Sequence, residues 1–407
     1  MRVLTFILGA VLAAYSGAGI LSGTIWQTSE TVDRALCRAL LCTNATLLER
    51  GRQQLDGAGI DNAAKAVDTF EIALRRDPQN AYRWSDLGKA YLDSGQRDRA
   101  EYCYQRVLAL APHFPALLLR AANFYFQIGN PQAALPITAR ILALTPGYDA
   151  IVFSEYARLA DRVDNVLQFG IPDTDRAARS WLRFLMQSGR LQDEQRSWQW
   201  VSERRHVDEV LAGEYVAFLI RQGHPEWAAS AWAEYLGKHA GDYGKPNYLF
   251  NGDFLSEPVS SPFDWNRART LGVEVDRDFT QPGRCALRIA FAGTQNLGVP
   301  LASQLAYVKP GPYRFQAMIR TEGVTTDEGL RFRIADAEVP SRLDLVFGNF
   351  TDTHPWTPVQ HDLVVPRATR LLEVQVIRRP SLKFDNKVGG TVWVDALSLE
   401  SATTPHL

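Results

Sequence analysis

The chain is poor in cysteine and methionine and carries almost no net charge. Of 407 residues, four are cysteines and three methionines, and 44 basic side chains stand against 45 acidic ones, for a formal net charge of −1. Without a basic excess there is no general electrostatic attraction for a nucleic acid, so no nucleic-acid partner is expected. Cys37, Cys42, Cys103 and Cys285 are scattered without a Cys-x-x-Cys pair, which argues against a zinc site. Cys37 and Cys42 could bridge in an oxidising compartment. On one unbroken helix they would face different ways, so a bridge requires a bend. Cys103 and Cys285 are expected to be small buried hydrophobes.

Catalytic signatures are missing too. There is no nucleophile elbow, no His-Glu-x-x-His, no phosphate loop and no dinucleotide fingerprint, and the seven histidines lie apart. Paired carboxylates can cut glycosidic bonds. The nearest such pair, Asp276 and Asp278, alternates with Val275 and Arg277 as in a turn or a solvated strand. The chain is therefore expected not to be an enzyme.

What is present begins at the amino end. From Val3 to Gln27 no residue is charged, and Arg2 precedes the run. A bilayer crossing takes about 20 mostly apolar residues, and a leading cation favours an inside amino end. Residues 1–29 are thus expected to be a retained membrane anchor, with the rest exported. A cleaved signal peptide cut near Ala14-Tyr15-Ser16 is the alternative. Against it, the apolar run continues through Ile20, Leu21, Ile25 and Trp26.

Next comes a repeat. In Arg83–Pro112, Trp84, Leu87, Gly88 and Tyr91 are followed by Ala100, Tyr104 and Pro112. Pro78, Pro112 and Pro146 are 34 apart, as are Ala66, Ala100 and Ala134. This pattern and period resemble the tetratricopeptide repeat, an antiparallel helix pair whose small residues allow close approach and whose aromatics fill the gap. Repeats are placed at 47–80, 81–114 and 115–148 within a 30–148 segment. Gly189 and Trp198, then Gly223 and Trp232, 34 residues on, extend the helical periodicity through degenerate pairs at 149–244. Stacked pairs form a groove lined by the first helix of each repeat. Tyr82, Ser85, Lys89, Asn123 and Gln127 are expected to face it and to hold a protein partner. The carboxylate-clamp subset of the family does not carry over, because Gly51, Ser85 and Leu119 occupy one clamp row.

From residue 245 the pattern changes to period two. Leu287, Ile289 and Phe291 alternate with polar or small residues; so do Phe315, Ala317 and Ile319, then Leu330, Phe332 and Ile334, then Leu372, Val374 and Val376. Such half-buried strands, punctuated by Gly and Pro turns, predict an all-β sandwich. The segments NYLFNGDF (247–254), Asp264-Trp265 and VWVDALSLE (392–400) resemble the opening and closing strands of galactose-binding-like jelly rolls, many of which are carbohydrate-binding modules. The resemblance covers roughly residues 246–401, and the domain is drawn at 245–401. It implies glycan binding, through aromatic faces and polar side chains. Trp356, Phe350 and Tyr313, with Arg342, Asp344, Asn349 and Asp352, are the candidates. The stretch 347–356 reads as an exposed loop, and Trp265 and Trp393 read as core. Related modules often hold a structural calcium by an acidic residue just after the opening Phe. Leu255 stands there instead, leaving Asp253 and Asp395 as weak ligands and no other cofactor expected.

The expected architecture is multidomain α and β: a membrane helix, an α-solenoid of tetratricopeptide repeats, and a C-terminal jelly roll. The function it suggests is a non-catalytic scaffold on the bacterial inner membrane with its body in the periplasm. It would hold a protein partner in the groove and polysaccharide on the sandwich, in exopolysaccharide or O-antigen assembly or export. A periplasmic scaffold without glycan binding and a glycan-cleaving enzyme are the alternatives.

Overall fold

A computed structural model describes residues 44–57, 59–158, 163–281 and 283–402. The apolar run from Val3 to Gln27, with Cys37 and Cys42, lies outside them. Among the described residues no helix is long and apolar enough to cross a membrane. Contacts divide the chain into two compact units, Met1–Arg204 and Arg205–Leu407.

The first unit is helical. Its longer helices among the described residues are α1 (Asn44–Asp56), α2 (Ile60–Arg76), α3 (Ala81–Asp93), α4 (Arg97–Leu110), α5 (Pro115–Gln127), α6 (Pro131–Leu144), α7 (Asp149–Arg158), α8 (Asp175–Ser188) and α9 (Leu191–Glu203). The starts are written in the sequence. Asn80 and Asn130 accept backbone N–H groups of α3 and α6, and prolines occupy the first turns of α5 and α6. Inside each of the three pairs α1–α2, α3–α4 and α5–α6, Ala66, Ala100 and Ala134 are fully buried. A Cβ on Gly88 would come within 3.0 Å of the Tyr104 ring and 3.1 Å of Cys103 Cβ, so glycine sets the α3–α4 distance. Cys103 and Cys285 are both buried thiols, and burial pushes the Cys103 thiol up to about 12.

The second unit opens with a helix pair, α10 (Glu209–Arg221) and α11 (Pro225–Leu236), and continues into the sandwich. The periodicity extended the solenoid through this pair; the contacts group it with the strands instead. The strands are β1 (Asn266–Arg267), β2 (Val273–Gln281), β3 (Arg284–Ala292), β4 (Pro300–Tyr307), β5 (Gly311–Val324), β6 (Leu330–Asp336), β7 (Asp344–Phe350), β8 (Asp352–Val365), β9 (Leu371–Arg378) and β10 (Gly389–Ser401). They form two five-stranded sheets, ordered β1-β4-β9-β6-β7 and β2-β3-β10-β5-β8, with every pair antiparallel. The four apolar sets read from period two, on β3, β5, β6 and β9, all face one core. Trp265 lies in that core as expected. Trp393 does not. It sits half-buried between the inward Val392 and Val394, on the outer face of the second sheet.

The opening and closing segments meet. Tyr248 N donates to Leu399 O at 2.9 Å, and the Asn247 side chain accepts Leu399 N at 3.0 Å. A Cβ at Gly252 would lie 1.9 Å from Leu397 O, so the Asn-Gly pair is dictated by contact with β10.

Candidate functional site

The groove in the first unit is built on the 34-residue period. Ser85, Lys89, Asn123 and Gln127 line one cleft of about 450 Å³ together with Arg52 and Asp86. Arg120 lines it as well. Asp86 is buried, and it accepts Arg52 at 3.1 Å and Arg120 at 3.0 Å. Residues 52, 86 and 120 therefore form a charge ladder, cation–anion–cation, one rung per repeat. Both arginine side chains remain about half exposed, and each guanidinium has five donors, more than the ladder uses. Lys89 pairs with Asp93 along α3.

Of the five groove residues expected from sequence, four line this cleft. Tyr82 sits beside it, with the Arg120 guanidinium 5.6 Å from its ring centroid and Phe114 edge-on at 5.8 Å. The ladder itself was missed, although Arg52, Asp86 and Arg120 recur at the period that located the repeats. A second hollow of about 560 Å³ lies among α2, α3 and α4, lined by Trp84, Tyr91, Tyr102 and Cys103 with Glu71 and Arg99.

The glycan candidates on the sandwich do not converge. Tyr313 is 3% exposed, and its hydroxyl accepts Lys309 N; it is a core residue with no free face. Phe350 packs edge-on against Phe332 at the core margin. The stretch 347–356 is not a loop: it is the end of β7 and the start of β8, joined at Thr351. Asn349 closes the preceding turn, accepting Gly329 N at 2.8 Å and donating to Asp327 O at 3.0 Å. Asp344 is chelated by Arg333 at 2.7 and 3.0 Å, which holds its carboxyl below the usual range. Arg342 donates to Ala368 O and pairs with Asp336. Asp352 is exposed and accepts the Thr351 hydroxyl at 2.9 Å.

Trp356 has the best placement. Along β8, Val359, His361 and Leu363 turn to the core side. A bulge between His354 and Thr357 sets Pro355 and Trp356 together opposite Arg320, an outer-face residue, which puts Trp356 on the outer face of its sheet. That face also carries Trp393, opposite Arg288 on β3 and Arg320 on β5. The Arg320 guanidinium lies 4.6 Å over the Trp393 ring, and the indole N–H donates to Asp278 at 2.8 Å. One Trp393 face is thereby covered. Asp278 is tied to this indole, and Asp276 lies opposite Arg288.

Asp253 and Asp395 flank the junction of the opening and closing segments, where a hollow of about 500 Å³ is lined by Asn247, Asn251 and Asp253. They do not fit a calcium site. Asp395 accepts Arg284 at 3.3 Å and Ala396 N at 2.6 Å, so a guanidinium stands where a cation would bind. Asp253 is engaged by Leu255 N at 3.2 Å. Among the described residues no group of three or more His, Cys, Asp or Glu could hold a metal ion.

With this geometry established, residues 81–114 match the family model of the tetratricopeptide repeat, coinciding with the middle repeat. The chain carries tetratricopeptide repeats followed by a β-sandwich. It is 28% identical over 86 residues to the formate-dependent nitrite reductase complex bifunctional subunit NrfFG of Haemophilus influenzae, a match covering 21% of this chain and 22% of that protein. The chain thus spans about a fifth of that relative's length. Among solved structures, it is similar over 38% of its length to 99% of the carbohydrate-binding module TmCBM61, seen in complex with β-1,4-galactotriose (15% identity, TM-score 0.28). Over 54% of its length it is similar to 92% of YrrB, described as a tetratricopeptide repeat protein with an unusual peptide-binding site (12% identity, TM-score 0.25).

Proposed function

We propose that this protein is a non-catalytic, membrane-anchored periplasmic adaptor. Its repeat groove holds an extended segment of a protein partner and its sandwich holds glycan, in the assembly or export of exopolysaccharide or O-antigen. The observation that carries the partner half is the cleft lined by Ser85, Lys89, Asn123 and Gln127 beside the Arg52–Asp86–Arg120 ladder. A concave surface with half-exposed arginine side chains and amides suits the backbone and carboxylates of an extended peptide. The glycan half is supported by Trp356, half-buried on the outer sheet face, where an aromatic can stack on a sugar ring.

The full chain should capture a partner from envelope extracts. Arg120→Ala combined with Asn123→Ala should abolish that capture while leaving the helical signal intact. Capture that survives the double substitution would refute the groove assignment. For the glycan half, a polysaccharide gel shift should be lost on Trp356→Ala.

A scaffold with no glycan contact is the second reading. It is favoured by the scatter of the polar candidates and by Arg320 covering Trp393. Partner capture with no gel shift by any polysaccharide would select it. Release of reducing ends from a bound polysaccharide would instead point to a glycan-cleaving enzyme.

A further inference from the structure

The loop between β9 and β10 presents two bare apolar side chains. Leu382 is 99% exposed and Phe384 105%, and Leu271, on the turn before β2, is 84% exposed. The two segments belong to one end of the sandwich. A Cβ at Gly272 would meet Gln295, and its neighbour Asn296 exchanges hydrogen bonds with Ser381, donating to Ser381 O and accepting Ser381 N, each at 2.9 Å.

The base of this loop is tightly held. Arg378 is buried and donates to Glu328 O, Asn296 Oδ1, Thr326 Oγ1, Asn386 O and Leu297 O. It thereby ties together the loops that follow β3, β5 and β9. The Ser381 hydroxyl donates to Asp327 at 2.6 Å and accepts Lys383 N at 3.1 Å. At the other side, Thr325 N donates to Gly389 O and Val388 N to Gln295 O, both at 3.1 Å. Buried polar groups satisfied this fully fix a backbone in place. Leu382 and Phe384 are therefore held out in water by a fixed base.

Clustered apolar side chains left in water mark an interaction site, and Leu382 and Phe384 stand two residues apart on one tightly held loop. The flanking charges indicate the partner. Lys383 lies between the two apolar residues, and Arg379 and Lys387 bracket them; Arg269 precedes Leu271, and all four cations are exposed. The acids of this end are Asp327, Glu328, Asp352 and Asp385, with Glu274 of β2 paired to Arg288 at 3.2 Å; Asp352 and Asp385 are exposed. Glu328 is neutralised by Arg331 at 2.9 Å, and Asp327 pairs with Lys383 at 3.5 Å. Apolar tips between cations suit the boundary of an anionic bilayer. There the hydrocarbon takes up the apolar tips, and the lysines extend to the headgroups. A fluid surface also moulds itself around a convex tip, which needs no matching pocket.

We propose that the end of the sandwich carrying Leu271, Leu382 and Phe384 is a membrane-contact site that docks on anionic lipid. One such tip binds weakly and reversibly, so it orients the sandwich against the membrane and does not anchor it.

The test uses the full chain, mixed with vesicles of phosphatidylcholine alone or with added phosphatidylglycerol. Backbone hydrogen exchange is read peptide by peptide. The signal from 379–388 is local, so binding through residues 3–27 does not contribute to it, and failure here leaves the adaptor reading standing. Anionic vesicles should slow exchange in 379–388, and phosphatidylcholine alone should do so far less. Leu382→Ser with Phe384→Ser should reduce the apparent affinity of this local protection about tenfold or more. Both side chains are solvated, so the fold should be untouched. Lys383→Glu should weaken it as well, with sensitivity to salt. Unchanged exchange on anionic vesicles would overturn the proposal, as would protection that survives the double substitution. Protection of the same segment by a polysaccharide or a protein partner, but not by lipid, would assign the tip to that partner instead.

Discussion

Gly213 of α10 lies so close to the backbone of Ser260 that a Cβ at 213 would sit 2.0 Å from the Ser260 carbonyl oxygen. No side chain fits there. The contact seats the helix pair α10–α11 on the segment that leads into the sandwich, within one compact unit. Gly213→Ala should destabilise the second unit by about 1–3 kcal/mol, because backbone rather than a flexible side chain must move. Urea unfolding of the variant would show it as a lower midpoint, and an unchanged midpoint would mean that the helix pair does not depend on this close approach.

Asp86 is the shared acceptor of the ladder. Asp86→Ala should lower stability by about 1 kcal/mol, a modest figure because both arginines are half exposed and screened. A double-mutant cycle with Arg120→Ala checks it. The coupling should be a few tenths of a kcal/mol or more, and strict additivity would show that the pair does not interact.

Glu194 on α9 is fully buried, and no side chain hydrogen-bonds its carboxylate, so the Arg190 backbone offsets little of that burial. Burial lifts its carboxyl from 4.5 to about 7. The folded chain therefore keeps this proton where the unfolded chain has lost it, so the stability contributed by Glu194 is greatest at acid pH and is lost as the pH rises toward 7. Glu194→Gln should remove that slope and stabilise the protein at pH 8 by roughly 1–3 kcal/mol. Denaturant melts at pH 5 and pH 8 decide it: the gap between variant and wild type must widen at the higher pH.

Arg378 tests the fixed base of the tip. Lysine cannot reproduce its fork of donors, so Arg378→Lys leaves buried carbonyls unpaired and should cost about 2–4 kcal/mol. Hydrogen exchange should accelerate in 293–299 and 325–329 as well as in 379–388. Acceleration confined to 379–388 would show that the three loops are not tied through this side chain.

Trp356→Ala, by contrast, should change stability by less than about 1 kcal/mol, since the ring stands on the outer face of an edge strand. A large loss would place Trp356 in a packed environment and disqualify it as a ligand platform.

The sequence by itself determined the periodic parts of this protein. The 34-residue recurrence of Ala66, Ala100 and Ala134 located the helix pairs, because each must bury a small residue at the same crossing. Period-two alternation located β3, β5, β6 and β9, because one face of each meets a common core. Repeat position put four of the five expected residues, Ser85, Lys89, Asn123 and Gln127, in one cleft and Tyr82 beside it. Only the tertiary structure decided the rest. Phe350 and Trp356 read as aromatics of one exposed loop, yet they lie on two paired strands, and strand pairing buries Tyr313, lodges Phe350 at the core margin and leaves Trp356 outside. The α10–α11 pair keeps the helical period, yet its contacts group it with the sandwich, which depends on the approach of Gly213 to Ser260. Leu382 and Phe384 were unremarked in sequence because a two-residue apolar pattern in a loop has no period. Their place in water is set by long-range contacts, above all those of the buried Arg378 that holds their loop.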